Sequence, residues 1–150
     1  MDQPITRPAR VSDHASLVAL DTIATRDLAR AQEIARWLAQ ELCFCAEVEG
    51  VVAGYGVLHY HFFGRAFLEM LMVGEQYRSQ GVGTALIMHA AGLSAGQQLW
   101  TSTNQSNQRT RRLLEHLGFT PSGMIEGLDE GDPELFFRLG PEKLSSPFVA

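Results

Sequence analysis

Cysteine is scarce in this chain: Cys43 and Cys45 are the only two in 150 residues. They stand as C-x-C inside an apolar alternation, and strand side chains alternate in direction, so both would point to one face. A zinc site needs further ligands at matching spacing, and none lies nearby. The pair reads as two small buried hydrophobes, and no metal is expected. A basic excess is also lacking. Net charge is −5, whereas nucleic-acid binding usually rests on a basic surface that neutralises phosphate. Nucleic acid is therefore not an expected partner. No apolar run reaches the length of a membrane span, so no membrane is expected either. The start, "MDQPITRPARVSDH", is polar and has no apolar segment of the secretory type, which leaves the cytoplasm as the default compartment.

Linkers, repeats and low-complexity stretches are missing too, which points to one domain over residues 1–150. A chain of this length, 45% hydrophobic and 19% charged, can bury a real core. "ITRPARVSDH" predicts a short strand and then a helix capped by Ser12 or Asp13. Helical spacing follows over residues 13–23 and 28–42. "CFCAEVEGVVAGYGVLHYHFF" alternates and carries aromatic and β-branched residues, with Glu49-Gly50 as the turn of a hairpin. A third strand, "AFLEMLMV", comes after a turn near Gly64. Then come a helix over residues 82–93, a strand at "QQLWTSTN", a helix over residues 106–117, a strand from Phe119 and a last strand, "PELFFRL". This order predicts an α+β (mixed α/β) domain around one sheet.

The stretch "RSQGVGTALI", residues 78–87, sets a glycine turn at the head of a helix. Gly81 and Gly83 allow positive φ and close approach of a ligand to the backbone. Val82, Leu86, Ile87, Ala90 and Leu93 make an apolar stripe that should fix the helix. Its N-terminus would present free N–H groups and a positive dipole end, which suits phosphate. Two common phosphate motifs are excluded. The dinucleotide fingerprint needs a third glycine where Leu86 stands, and a P-loop needs a lysine that the turn lacks. A nucleotide-binding regulator is disfavoured for the same reason. The turn alone could equally be a plain strand-to-helix connection.

The wider run, "FLEMLMVGEQYRSQGVGTALIMHA", resembles the central motif of the GNAT family of N-acetyltransferases, Q/R-x-x-G-x-G/A. Arg78, Gly81 and Gly83 fill it. A second block, "NQRTRRLLEHLGF", resembles the family's downstream pattern with Asn107, Gly118 and Phe119. The element order is similar along nearly the whole chain. The resemblance implies a central, twisted, mostly antiparallel sheet flanked by helices, and an acyltransferase activity. It implies acetyl-CoA, or another acyl-CoA, as cosubstrate and an amine as acceptor. The pyrophosphate would lie on the N–H groups of Ser79, Gln80, Gly81, Val82, Gly83 and Thr84, with Arg78 opening the turn. The pantetheine arm would pair with Leu71, Met72 and Val73, and Asn107 would stand near it. Asn107 also reads as an ordinary residue at a helix start.

Acyl transfer by direct attack on the thioester requires a base, an oxyanion donor and a route for a proton to the leaving thiolate. A strand N–H near Met72 suits the oxyanion. Strand parity sets Glu69, Leu71 and Val73 on one side, where Glu69 alone ionises. An acid in an apolar strand is a candidate for a raised pKa and a catalytic base, directly or through water. Glu69 also reads as a rim carboxylate paired with Arg65. Many family members carry a tyrosine where this chain has Leu114, and leucine cannot donate a proton. Another residue or water could do so, the thiolate could leave unaided, or the protein could bind acyl-CoA with little or no transfer. His59 and His61 share a strand face and read either as a base and acceptor contact or as solvated polar residues. "EGLDEGDPE", residues 126–134, lacks the spacing of a calcium loop and reads as a solvated turn whose charge also suits a cationic acceptor. The acceptor's identity is not legible, and a homodimer stays open because dimers are frequent in the family.

Overall fold

The computed structural model describes residues 3–143. Its elements are β1 (Ile5–Pro8), α1 (His14–Leu20), α2 (Leu28–Ala39), β2 (Cys43–Val48), β3 (Val51–Phe62), β4 (Arg65–Val73), α3 (Val82–Leu93), β5 (Leu99–Asn104), α4 (Gln108–His116), β6 (Thr120–Ile125) and β7 (Glu134–Leu139). The order is the one the sequence predicts. The strands form a seven-stranded, mostly antiparallel sheet in the order β1-β2-β3-β4-β5-β7-β6. Among the described pairings the parallel one joins β4 to β5, with Ala66, Phe67 and Leu68 opposite Leu99, Trp100 and Thr101.

Element ends depart from the sequence reading for local reasons. The first helix stops at Leu20 rather than residue 23. Asp21 turns extended there, and its carboxylate accepts from the N–H groups of Ile23 and Ala24. The expected side-chain cap is not formed at its start: Asp13 binds Arg7 and the N–H of Arg10 instead. The second helix ends at Ala39, short of residue 42, and Glu41 adopts a left-handed φ of 58° just after it. The turn at Glu49-Gly50 is as expected. Both residues have positive φ, 52° and 78°, which matches the twist of the flanking strands.

The chain forms two compact units. The first holds, among the described residues, 3–58 and 70–89. Its core sets Leu17 of α1 and Ile34, Trp37 and Leu38 of α2 against Cys43, Cys45, Tyr55 and Val57 of the strands. Ile34, Trp37 and Leu38 fall at i, i+3 and i+4, so one face of α2 carries the burial. Cys43 and Cys45 are free and buried, as read. The second unit holds, among the described residues, 59–69 and 90–143. There Leu99, Thr101 and Thr103 alternate inward along β5, and Leu114, Leu117, Phe119, Phe137 and Leu139 are buried. In α3, Val82, Leu86, Ile87 and Ala90 are buried, but Leu93 is 52% exposed and leaves the expected stripe. No helix among the described residues is long and apolar enough to cross a membrane.

Candidate functional site

The glycine turn is built from the end of β4 onward. Leu71, Met72 and Val73 are half-buried. Gly74 then donates its N–H to Ala53 O at 2.8 Å, which ties the strand exit to β3. Glu75–Tyr77 make one 3-10 turn, and Arg78 is extended and exposed, with no ion pair among the described residues. Ser79 and Gly81 both adopt left-handed backbone, φ 64° and 82°, on either side of Gln80. Gln80 hydrogen-bonds back to Gln76 O. An added Cβ at Gly81 would meet nothing within 4 Å, so its backbone φ, and not close packing, is what favours glycine there. Gly83 differs from expectation: it lies in the first turn of α3, where its backbone is helical. Ser79 instead supplies the other left-handed residue.

The first hydrogen bond into α3 runs from Ala85 N to Gly81 O at 3.0 Å. The N–H groups of Val82, Gly83 and Thr84 therefore have no helical partner. With the helix dipole behind them, such N–H groups can hold an anion. Val82 is 1% exposed and anchors this end in the core. Sequence reasoning missed what makes that anchoring possible. A Cβ added at Gly54, within β3, would lie 2.7 Å from Met72 O, 2.9 Å from Val82 Cγ1 and 3.1 Å from Leu86 Cδ1. Gly54 lets the end of β4 and the head of α3 lie directly against β3. The signal was available: a glycine inside a strand pattern marks a close approach.

The remaining candidates fall in the second unit. Glu69 does not pair with Arg65, whose guanidinium donates to Phe63 O. Its Oε1 lies 3.0 Å from His59 Nε2. Its side chain is 41% exposed, so the apolar surround expected from the strand sequence is missing. His59 is 13% exposed in its side chain and stacks on His61 at 5.4 Å and 22°. His59 is thus not a solvated residue, whereas His61 is exposed. The rings of Phe62, Phe67, Trp100 and Phe136 continue the same cluster.

Asn107 is the N-cap of α4, and its Oδ1 accepts from Thr110 N at 3.2 Å. The helix-start reading therefore holds for its carbonyl oxygen, and the cap leaves the Nδ2 amide unused. The acidic loop is not merely a solvated turn. Asp132 receives both the N–H and the hydroxyl of Ser106, and Asp129 receives Asn104 Nδ2. Gln105 N also donates to Pro133 O, so this loop fixes the chain leading into the cap of α4. Leu114 is 1% exposed and faces the core. Among the described residues no group of three or more His, Cys, Asp or Glu could hold a metal ion.

In the first unit a buried polar cluster fixes the segment after α1. Asp21 is fully buried and also receives the Tyr55 hydroxyl at 2.6 Å and Arg30 Nη1 at 3.2 Å. Burial and the bond to Asp21 push the Tyr55 hydroxyl far above its usual range, so it remains a donor.

A strand, a left-handed turn and a helix head whose first N–H groups lack helical partners make an arrangement chemically suited to an anionic group. Residues 14–119 match the model of the Acetyltransferase (GNAT) family, and the chain belongs to that family. Its structure is similar to a GNAT-family acetyltransferase from Bacillus cereus ATCC 10987. The two are 27% identical with a TM-score of 0.86, and 93% of this chain and 98% of that one are covered. It is also similar to yncA from Salmonella typhimurium, solved with its cofactor acetyl-CoA, at 19% identity, TM-score 0.73, and 99% and 100% coverage. Ard1 from Thermoplasma volcanium aligns at 20% identity, TM-score 0.75, and 93% and 99% coverage. The last two show likeness of fold alone. A search of the curated proteins finds no match.

Proposed function

We propose that this chain is an N-acetyltransferase that moves an acetyl group from acetyl-CoA to an amine of a small molecule or peptide. The observation that carries the reading is the anion-binding head of α3, held by Gly54 and Val82 and entered through left-handed Ser79 and Gly81. The pyrophosphate takes the N–H groups of Ser79, Gln80, Gly81, Val82, Gly83 and Thr84, with Arg78 beside it. The pantetheine arm runs along Leu71, Met72 and Val73, and Asn107 takes it with the amide its cap leaves unused. The amine nitrogen attacks the thioester carbon, the carbonyl oxygen gathers charge near the Met72 N–H, and Glu69 accepts the ammonium proton. The carbon–sulfur bond then breaks. With Leu114 at the usual tyrosine position, the CoA sulfur leaves as thiolate and takes its proton from water. Family membership and the acetyl-CoA carried by yncA support this choice of donor.

Calorimetric titration with acetyl-CoA, beside a Gly83→Trp variant, tests it. Micromolar binding abolished by the variant is expected; no binding by the native chain would sink the proposal. A screen of primary amines for CoA thiol release follows, with Glu69→Gln as control. A second reading, an acyl-CoA-binding module without turnover, is favoured by the burial of Leu114 in place of a proton donor. Tight binding with no thiol release from any amine would select it.

A further inference from the structure

We infer that His59 is a positioning residue for Glu69 and not itself the base. The inference rests on Glu69 being the base of the proposed transfer. Two hydrogen bonds fix the imidazole. The backbone N–H of His61 donates to His59 Nδ1 at 3.0 Å. That nitrogen therefore carries no hydrogen, and the ring hydrogen is on Nε2, a tautomer assigned from the bonds around it. Nε2 then donates to Glu69 Oε1 at 3.0 Å. Neither ring nitrogen offers a free lone pair to an incoming ammonium. The usual reading of a histidine in such a place, a catalytic base, fails on this count.

The ring cannot easily turn to free a nitrogen. It lies against the rings of His61 and Phe67, at 5.4 and 5.7 Å between centroids, and Phe67 is only 9% exposed. Glu69 is thus held at one oxygen by a fixed donor. Its second oxygen, Oε2, has no partner among the described residues and is the atom left to take the proton. The arrangement resembles the orienting partner of a catalytic base with the roles exchanged: here histidine orients and carboxylate accepts. A carboxylate on an exposed strand would otherwise turn freely about its side-chain bonds. One charge-assisted hydrogen bond removes most of that freedom.

Two substitutions separate the two bonds. His59→Gln brings an amide N–H to about the place of Nε2 and keeps the donor to Glu69. His59→Asn keeps an acceptor near the place of Nδ1, for His61 N–H, and loses the donor. With an amine found in the thiol-release screen, kcat should fall less than about threefold in His59→Gln and at least about tenfold in His59→Asn. KM for acetyl-CoA should stay unchanged in both. A residue needed only for folding would not sort the variants this way. Long-range proton–nitrogen spectra of the nitrogen-labelled native protein should show Nδ1 unprotonated and Nε2 protonated for His59. Equal kcat in both variants, or the opposite tautomer, overturns the inference. Full turnover by Glu69→Gln overturns the base assignment itself and the positioning role with it. The tautomer spectrum then shows whether the His59 geometry was read correctly.

Discussion

Gly54→Ala adds a single methyl group at the point where β3, the end of β4 and the head of α3 meet, beside the proposed donor site. The new Cβ would stand 2.7 Å from Met72 O, 2.9 Å from Val82 Cγ1 and 3.1 Å from Leu86 Cδ1. Real Cβ atoms do not approach that closely, so something must move. Met72 O is backbone within β4, and Val82 and Leu86 are 1% and 0% exposed, so no neighbour can swing into solvent. Overpacking of this kind costs about 1–3 kcal/mol. Alanine recovers roughly 0.5–1 kcal/mol by restricting the unfolded chain. The net loss is about 0–2.5 kcal/mol, centred near 1 kcal/mol, or a Tm lower by roughly 2–4 °C at that centre for a chain of this length. The same shift parts the end of β4 from the head of α3, so acetyl-CoA should bind about tenfold more weakly, about 1.4 kcal/mol. Gly92→Ala is the control: it lies in α3, exposed, with nothing within 4 Å of an added Cβ. It should raise stability by about 0.5–1 kcal/mol through helix propensity and leave acetyl-CoA affinity alone. Thermal unfolding and calorimetric titration of both variants decide the matter. Native Tm and affinity in Gly54→Ala would refute the claim that close approach at Gly54 sets the site.

Further outcomes follow from other residues. Asp21→Ala strands the Tyr55 hydroxyl and Arg30 beside a buried gap, and chemical denaturation should show a loss of about 3–5 kcal/mol. Asp13 is held down to about 2 by its bonds to Arg7, below its ordinary range. Its ionised form therefore stabilises the fold above pH about 4, and that contribution disappears as pH falls towards 2. The Tm gap between the native chain and Asp13→Asn should narrow over that window; a gap that widens in acid would contradict the sign. Burial pushes the Cys43 and Cys45 thiols up to about 12 and about 11, so neither should react with a thiol reagent until the protein is denatured. Leu114→Tyr should lose about 1–3 kcal/mol by overpacking the core rather than restore a proton donor, as read by Tm and thiol release.

The glycine turn proposed as the donor side was legible as local structure because it is contiguous. Arg78 to Thr84 are contiguous, the left-handed φ of Gly81 favours glycine whatever surrounds it, and a helix head exposes its N–H groups by geometry alone. The element order was legible for a similar reason, since alternation and helical spacing are properties of short windows. What failed was pairing across distance. Arg65 was the cation nearest to Glu69 along the chain, yet the turn at left-handed Phe63 and Gly64 brings His59 to that carboxylate. Parity fixes a face; it does not fix which residues on two strands stand opposite one another. The acidic loop is the exposed turn between the last two strands that its composition predicts, but its bonds were not legible, because the group that takes Asp132 is Ser106, a partner 26 positions away.

This difference bears on how the two halves of the reaction can change. The turn proposed to hold the pyrophosphate is one short stretch and tolerates few substitutions, because its residues are bound by backbone geometry and packing. Ser79 and Gly81 must hold a left-handed φ, and Val82 must stay a buried anchor. The acceptor side proposed around Glu69 is assembled from side chains of β3, β4, β5 and β7, including His59, Phe62, Phe67, Trp100 and Phe136. None of those residues has a left-handed φ or a motif position to keep. Their replacement alters the surface met by an amine while the backbone that would hold CoA is untouched. Substitutions there, at Phe62 or Trp100 for example, should therefore change which amines in a panel are acetylated while KM for acetyl-CoA stays constant. A parallel loss of acetyl-CoA affinity in those variants would mean that the two halves are not separable in this chain.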